Sequence, residues 1–206
     1  MVEAESAARL AYVSGVQRGV GCRFRLCAQV FAEVRVGVVR CVGGGPGEYT
    51  LAVVKNTTEA TNGRSRRCSV TEERNTVLTS RMEHHSNDLP WRVNAKAVFV
   101  ELLPDGRLDL EDFQAKLEEH REHLALVAIT AGSNVTGFIN PIYELAEKAH
   151  EVGAMFMADC AQYAPHRKID MLPLDDPRHL DFITISAHKM YAPYGSGALI
   201  GRRDVF

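Results

Sequence analysis

The chain has 206 residues, 46% of them hydrophobic and 24% charged, enough for one sizeable buried core in a globular protein. A formal net charge of −2 gives no global pull toward nucleic acid or an anionic membrane, and no apolar run reaches bilayer length. The five cysteines, at 22, 27, 41, 68 and 160, include no C-x-x-C pair and fit no zinc-module spacing. An odd number argues against a disulfide framework, so we expect an intracellular, reducing, cytoplasmic setting, without excluding an organelle.

The N-terminal MVEAESAARL is too acidic and too broken for a signal peptide. Residues 26–41 predict a helix running into the turn VGGGPG (42–47), and YTLAVV (49–54) reads as a buried strand. Thr57 and Thr58 then open a helix, and the RSRR run at 64–67 is expected to be solvated surface. Beyond residue 75 come six short apolar runs with the continuity of strands covered on both faces. They are TVLTS (76–80), AVFVE (97–101), LALVAIT (124–130), AMFMA (154–158), DFITIS (181–186) and GALI (197–200).

Helical patterns lie between several of them. In 109–123, Asp109 is the expected N-cap, with Leu110, Phe113 and Leu117 on one face. In 140–153, Asn140 is the expected cap and Pro141 the first helical residue. Ile142, Leu145, Ala146 and Ala149 form its apolar stripe, and Gly153 ends it. Strands alternating with helices predict an α/β layer architecture with a mostly parallel sheet.

Ligands in such sheets bind beyond the carboxyl ends of the strands. Polar groups follow five of the runs: Thr57 and Thr58; His84, His85 and Asn87; Ser133, Asn134 and Thr136; Asp159, Gln162 and His166; Ser186, His188 and Lys189. Asp159 and Lys189 could form a plain ion pair. A lysine that condenses with an aldehyde, together with a carboxylate that keeps a pyridine nitrogen protonated, is the signature of a pyridoxal 5'-phosphate site. Thr57 and Thr58 at a helix start, with Ser186 and His188, could hold the phosphate, and His84 could cover the ring. Gly195 and Gly197 are turn glycines, and His166 is left outside the site.

Five stretches, NTTEATN (56–62), RMEHHSNDLPW (81–91), ITAGSNVTGFINPI (129–142), MADCAQYAPHRKID (157–170) and DFITISAHKMYAPYGSGALIGRR (181–203), share order and spacing with a known family. The chain resembles the class V aminotransferases among fold-type-I pyridoxal-phosphate enzymes, in the branch with cysteine desulfurases and selenocysteine lyases. The resemblance implies a three-layer large domain with a mostly parallel mixed sheet. Residues 1–48 would be its poorly matched N-terminal segment and 49–206 its partial cofactor-binding domain. It implies that Lys189 forms the Schiff base and that Asp159 pairs with the pyridine nitrogen. Gln162 would reach the phenolic oxygen, with Asn134 beside it. His84 would stack on the ring and help move protons, with His85 one register away. Thr57, Thr58, Ser186 and His188 would bind the phosphate. It further implies an amino acid as small-molecule substrate, a homodimer in the full-length form, and no nucleic-acid or membrane partner.

The sequence also departs from the family. It runs to GRRDVF, so the resemblance leads us to expect that the small C-terminal domain, its substrate-carboxylate arginine and the desulfurase nucleophilic cysteine are missing from it. Cys160 is expected to be a small buried residue. Stretch 63–75 lacks the family's amphipathic stripe, although VQRGVG (16–21) resembles its entry loop. A fragment, an aberrant gene model or a degenerate copy is therefore expected. The leading expectation is lyase, desulfurase or transaminase chemistry. The rivals are a catalytically inactive cofactor-binding scaffold, a nucleotide-binding α/β domain, and a zinc site built from His84, His85 and Cys160.

Overall fold

The computed structural model describes residues 22–67, 71, 73–193 and 195–206. MVEAESAARL and VQRGVG lie outside them, as do 68–70 and 72 within the unusual 63–75 stretch. In chain order, helix α1 (Cys22–Cys41) leads to β1 (Tyr49–Val54), α2 (Thr57–Arg67), β2 (Thr76–Ser80) and α3 (Leu89–Asn94). Then come β3 (Lys96–Val100), α4 (Leu110–Glu119), β4 (Leu124–Thr130), α5 (Ile142–Glu151), β5 (Met155–Asp159), β6 (Phe182–Ile185) and β7 (Gly197–Arg202).

The strands form one sheet in the order β1-β7-β6-β5-β4-β2-β3. Every pairing from β6 to β3 is parallel, and β7 lies antiparallel to both of its neighbours. Six strands therefore point one way and β7 the other. All seven residues of β4 are buried, which explains a run with no polar alternation. Successive side chains of β5 and β6 feed two cores. Phe156, Ala158, Ile183 and Ile185 pack with α1, α4 and α5 through Val39, Phe113, Leu117, Ile142 and Leu145. Met157 and Phe182 pack on the other face with Ala60 of α2 and Trp91 of α3. The result is a three-layer α/β fold with a mostly parallel mixed sheet.

Local chemistry explains the helices, with corrections to what the sequence suggests. Asp109 caps α4 by accepting from the Glu111 and Asp112 N–H groups, and Phe113 and Leu117 are buried. Leu110, expected on that face, is 48% exposed, because the first turn overhangs the sheet edge. The helix ends at Glu119 rather than 123, since the His123 carbonyl already accepts from Thr76 N–H to start the next ladder. In α5 the expected apolar stripe is buried, and Gly153 adopts φ +70° beyond its end. Asn140 does not cap it. Its amide donates inward to the Thr130 carbonyl (2.8 Å), and Pro141 occupies the cap position without a side-chain bond.

The RSRR run is also not all solvated. Arg64 is only 3% exposed, its guanidinium 4.0 Å from the centre of the Phe182 ring, while Arg66 is exposed. The Arg67 side chain lies outside the described residues. The buried face of α2 consists of Thr57, Ala60, Thr61, Arg64 and Ser65. Spacing of three and four residues makes that a stripe, but four of its five members are polar, so apolar periodicity does not show it. Cys160 is fully buried, and Cys41 and Cys160 are free thiols. Among the described residues no helix is long and apolar enough to cross a membrane.

Candidate active site

Because β1, β2, β4, β5 and β6 run in one direction, their carboxyl ends share one rim. There lies a cleft of about 220 Å³, lined by Thr57, Thr58, His84, Asn134, Asp159, Gln162, Ser186, His188 and Lys189. All nine residues singled out from the sequence are brought together. Asn56, Ser86, Thr130, Gly132 and Ala161 also line it and were missed. Their signal was only adjacency to strand ends, and three of them carry no ionisable or hydroxyl group.

The β1–α2 junction is fixed by reciprocal caps. Asn56 Oδ1 accepts from Glu59 N–H (2.9 Å), and Glu59 Oε2 accepts from Lys55 N–H (2.6 Å). Thr57 is buried; its N–H donates to Ser186 Oγ (3.1 Å), and the two hydroxyls lie 2.8 Å apart. This ties the α2 N-terminus to the end of β6 and places two hydroxyls at the positive end of a helix, a setting for an anion. Gly197 makes the close approach possible: a Cβ there would lie 2.8 Å from both Asn56 Cα and the Ile185 carbonyl oxygen.

Asp159 ends β5 and is 2% exposed, one oxygen accepting from Ala161 N–H (2.9 Å) and from Thr184 Oγ1 (3.4 Å). Desolvation raises its pKa, opposed by the Ala161 N–H and by the charges of Lys189 and His84. Lys189 lies in a short 3-10 turn, Ala187–Met190, and its side chain is exposed. The plain Asp159–Lys189 ion pair is not formed among the described residues, so the amine faces the cleft with no salt-bridge partner. Tyr191 closes that turn with φ +63°, a left-handed conformation rare outside glycine, and holds it tight after the lysine.

His84 caps the 3-10 turn His85–Asn87. Its Nδ1 accepts from Ser86 N–H (3.1 Å) and lies 2.7 Å from Ser86 Oγ, which leaves Nε2 for the cleft. His85 lines a neighbouring depression instead, its ring 6.2 Å from that of His84. Glu83, just before, lies partly buried beneath the rim and accepts from Ser80 Oγ, Asn87 Nδ2 and Thr130 N–H. His166 is exposed and lines neither cleft nor core.

A zinc site from His84, His85 and Cys160 is not assembled. Among the described residues only His150, His179 and Asp181 cluster as metal-type ligands, at the opposite end of the sheet, before β6. There Asp181 Oδ2 accepts from His150 Nε2 (2.8 Å) and Phe156 N–H (2.7 Å). Its Oδ1 accepts from Arg202 Nη1 (2.9 Å) and His179 Nε2 (3.3 Å). Both oxygens are fully engaged, which leaves no lone pair for an ion.

The model of the family described as aminotransferase class-V matches residues 1–206. The chain belongs to the class-V aminotransferase family. Proteins of this family use pyridoxal 5'-phosphate. The chain is 32% identical over 201 residues to a cysteine desulfurase of Haloferax volcanii, covering 94% of this chain and 46% of that protein. It is 36% identical over 200 residues to a probable cysteine desulfurase of Halalkalibacterium halodurans, covering 93% and 47%. The apo structure of a cysteine desulfurase from Thermococcus onnurineus NA1 superimposes with a TM-score of 0.83 at 31% identity, over 100% of this chain and 50% of that one. The chain thus spans about half the length of the class-V relatives it matches.

The donor set fits the family's cofactor. Hydroxyls and a helix N-terminus at one end suit a phosphate, a buried carboxylate suits a protonated ring nitrogen, and an unpaired amine suits an aldehyde.

Proposed function

We propose that this chain is the cofactor-binding part of a pyridoxal phosphate-dependent enzyme acting on a small amino acid, most closely a cysteine desulfurase or lyase, with transamination as the neighbouring chemistry. The observation that carries this is the convergence of Lys189, Asp159 and the Thr57–Ser186 pair on one cleft. Bound there, pyridoxal phosphate supplies an electron sink for a carbanion at the α-carbon of an amino acid.

The residues divide the remaining work. Thr57, Thr58, Ser186 and His188 would hold the phosphate. Asp159 presents a buried negative charge to the ring nitrogen; its desolvation makes that charge costly alone and strongly attracted to a cation. Gln162 would reach the phenolic oxygen, with Asn134 beside it. His84 would stand over the cleft, where its Nε2 would hold or pass a proton. Lys189 would hold the cofactor through its amine and would serve as the base for the proton at the substrate α-carbon. Residues 49–206 form the cofactor domain and 1–48 its entry segment. The full-length protein is a homodimer in a reducing, cytoplasmic setting, consistent with the free thiols.

Borohydride reduction of the chain incubated with pyridoxal phosphate, followed by peptide mass mapping, tests this. A pyridoxyl mass on the Lys189 peptide is expected. A tag elsewhere, or none, overturns the assignment. A second reading is binding without turnover. It predicts an absorbance band that no amino acid alters.

A further inference from the structure

Glu83 is the acidic group of this rim to which no role has yet been given. It lies one residue before His84, and three donors converge on its carboxyl. Ser80 Oγ, at the end of β2, donates to Oε1 at 2.6 Å. The backbone N–H of Thr130, at the end of β4, donates to the same oxygen at 2.9 Å. Asn87 Nδ2, in the turn that His84 caps, donates to Oε2 at 2.7 Å. The Asn87 amide has one possible orientation, because its Oδ1 accepts from the Trp91 indole N–H (3.1 Å), and Trp91 is fully buried. Two adjacent strand ends and the His84 turn therefore meet on one side chain. Thr130 pairs in register with Asp159, so the anchor also abuts the strand end that carries the carboxylate of the cleft.

Ser86 and Asn87 of the His84 turn are buried, whereas His84 and His85 are exposed, and the His84 ring caps its own turn through Ser86, a bond internal to the loop. Without an external anchor the loop could move as a unit with that internal bond intact. Glu83 and Asn87 supply the anchor from below.

We propose that Glu83 is a positioning residue of this site: its carboxyl group pins the His84 turn to the ends of β2 and β4 and thereby sets where the imidazole stands over the cleft. This rests on the reading of the cleft as a pyridoxal phosphate site with His84 over the ring. Burial pushes the Glu83 carboxyl up to about 8, against the three donors that favour its ionised form; Asp159 is the charged neighbour acting on it. The anchor thus changes charge near neutral pH, close to the carboxylate that must stay ionised.

The full chain is compared as wild type, E83A, E83Q, N87D and E83Q/N87D, with thermal unfolding as the folding control. One measurement follows the His84 ring resonances by NMR against pH without cofactor; the other titrates pyridoxal phosphate by absorbance. E83A loses all three bonds and is expected to shift the His84 titration and weaken cofactor binding about tenfold, the scale of one lost hydrogen bond to a charged group. E83Q keeps an oxygen for Ser80 and Thr130 but sets an amide N–H against the Asn87 amide, so it fails in the same direction. It keeps the side-chain volume and serves if E83A does not fold. In E83Q/N87D the donor and acceptor are exchanged while Trp91 keeps its acceptor, and most of the loss is expected to be recovered. Wild-type affinity and an unchanged His84 titration in E83Q would overturn the proposal, as would a double variant no better than E83Q. If the wild type itself binds no cofactor, the reading of the cleft fails, and the His84 titration still decides the role of Glu83.

Discussion

Replacing Asp181 by Asn should destabilise the protein without touching the cleft. The wild-type carboxylate accepts four hydrogen bonds, from His150, His179, Arg202 and Phe156 N–H. An asparagine offers one oxygen and turns an N–H toward donors. Removing one partner of a buried ionic cluster costs about 3–5 kcal/mol. The lower end applies here, because Arg202 keeps Asp204 at 2.6 Å. About 3 kcal/mol corresponds to a melting temperature lower by roughly 6–12 °C for a chain of this size. The pH profile should change too. Desolvation would raise the Asp181 carboxyl, but hydrogen bonds from His150, His179 and Phe156 hold it well below the usual range. Its share of stability is present above the unfolded carboxylate pKa and is lost as pH falls through the folded value. His179 loses charge preference to desolvation yet is raised by its bonds to Asp181 and the Asp176 carbonyl. Its share is full below the unfolded imidazole pKa and fades as pH rises through the folded value. D181N should therefore melt lower near neutrality and flatten the curve on both sides. Calorimetry from pH 3 to 9 measures this. A shift under about 2 °C, or a curve parallel to wild type, would refute the reasoning. Pyridoxal phosphate affinity at 25 °C should stay unchanged, since Asp181 precedes β6 and the cleft follows it.

Three further outcomes are expected. Urea unfolding of E83Q against wild type should shift in favour of E83Q as pH rises from about 4.5 to about 8, because in that window the wild-type carboxyl ionises in the unfolded chain while burial keeps it protonated in the folded one. The bound is about 5 kcal/mol at about 1.4 kcal/mol per unit, and partial exposure reduces it. Arg64→Ala should cost about 1–2 kcal/mol in urea unfolding, through the lost stacking on Phe182 and the lost packing of the stem; no change would show that the guanidinium is solvated. Gly197→Ala should weaken pyridoxal phosphate binding more than it lowers the melting temperature, because its methyl meets backbone at the α2 start. An unaltered affinity would mean that the junction can give way.

The strands were legible because burial on both faces writes itself as continuous apolar runs; YTLAVV, TVLTS and LALVAIT match their strands to the residue. The cleft was legible because parallel strands put polar residues that follow each run on one rim, and family motifs fixed which ones. What escaped were features whose chemistry mimics something commoner. Arg64 in a basic run looks like solvated surface, since composition does not record a ring beneath it. Asn140 ahead of a proline looks like a cap, since nothing local announces the Thr130 carbonyl. Glu83 beside two histidines drew no notice, because an anchoring carboxylate is recognised only by donors from elsewhere in the chain.

The single reversed strand, β7, joins β1 to β6 and so ties the first described strand to the last two. During synthesis β2 to β6 can assemble as their segments emerge, whereas β1 must wait for β7, a partner far later in the sequence. The hydroxyls of Thr57 and Ser186 are therefore expected to come within reach of one another only after β7 has paired, so this corner of the cleft is expected to form after the β2–β6 part of the sheet. Premature termination before residue 197 would leave a sheet with most of its interior and no such corner.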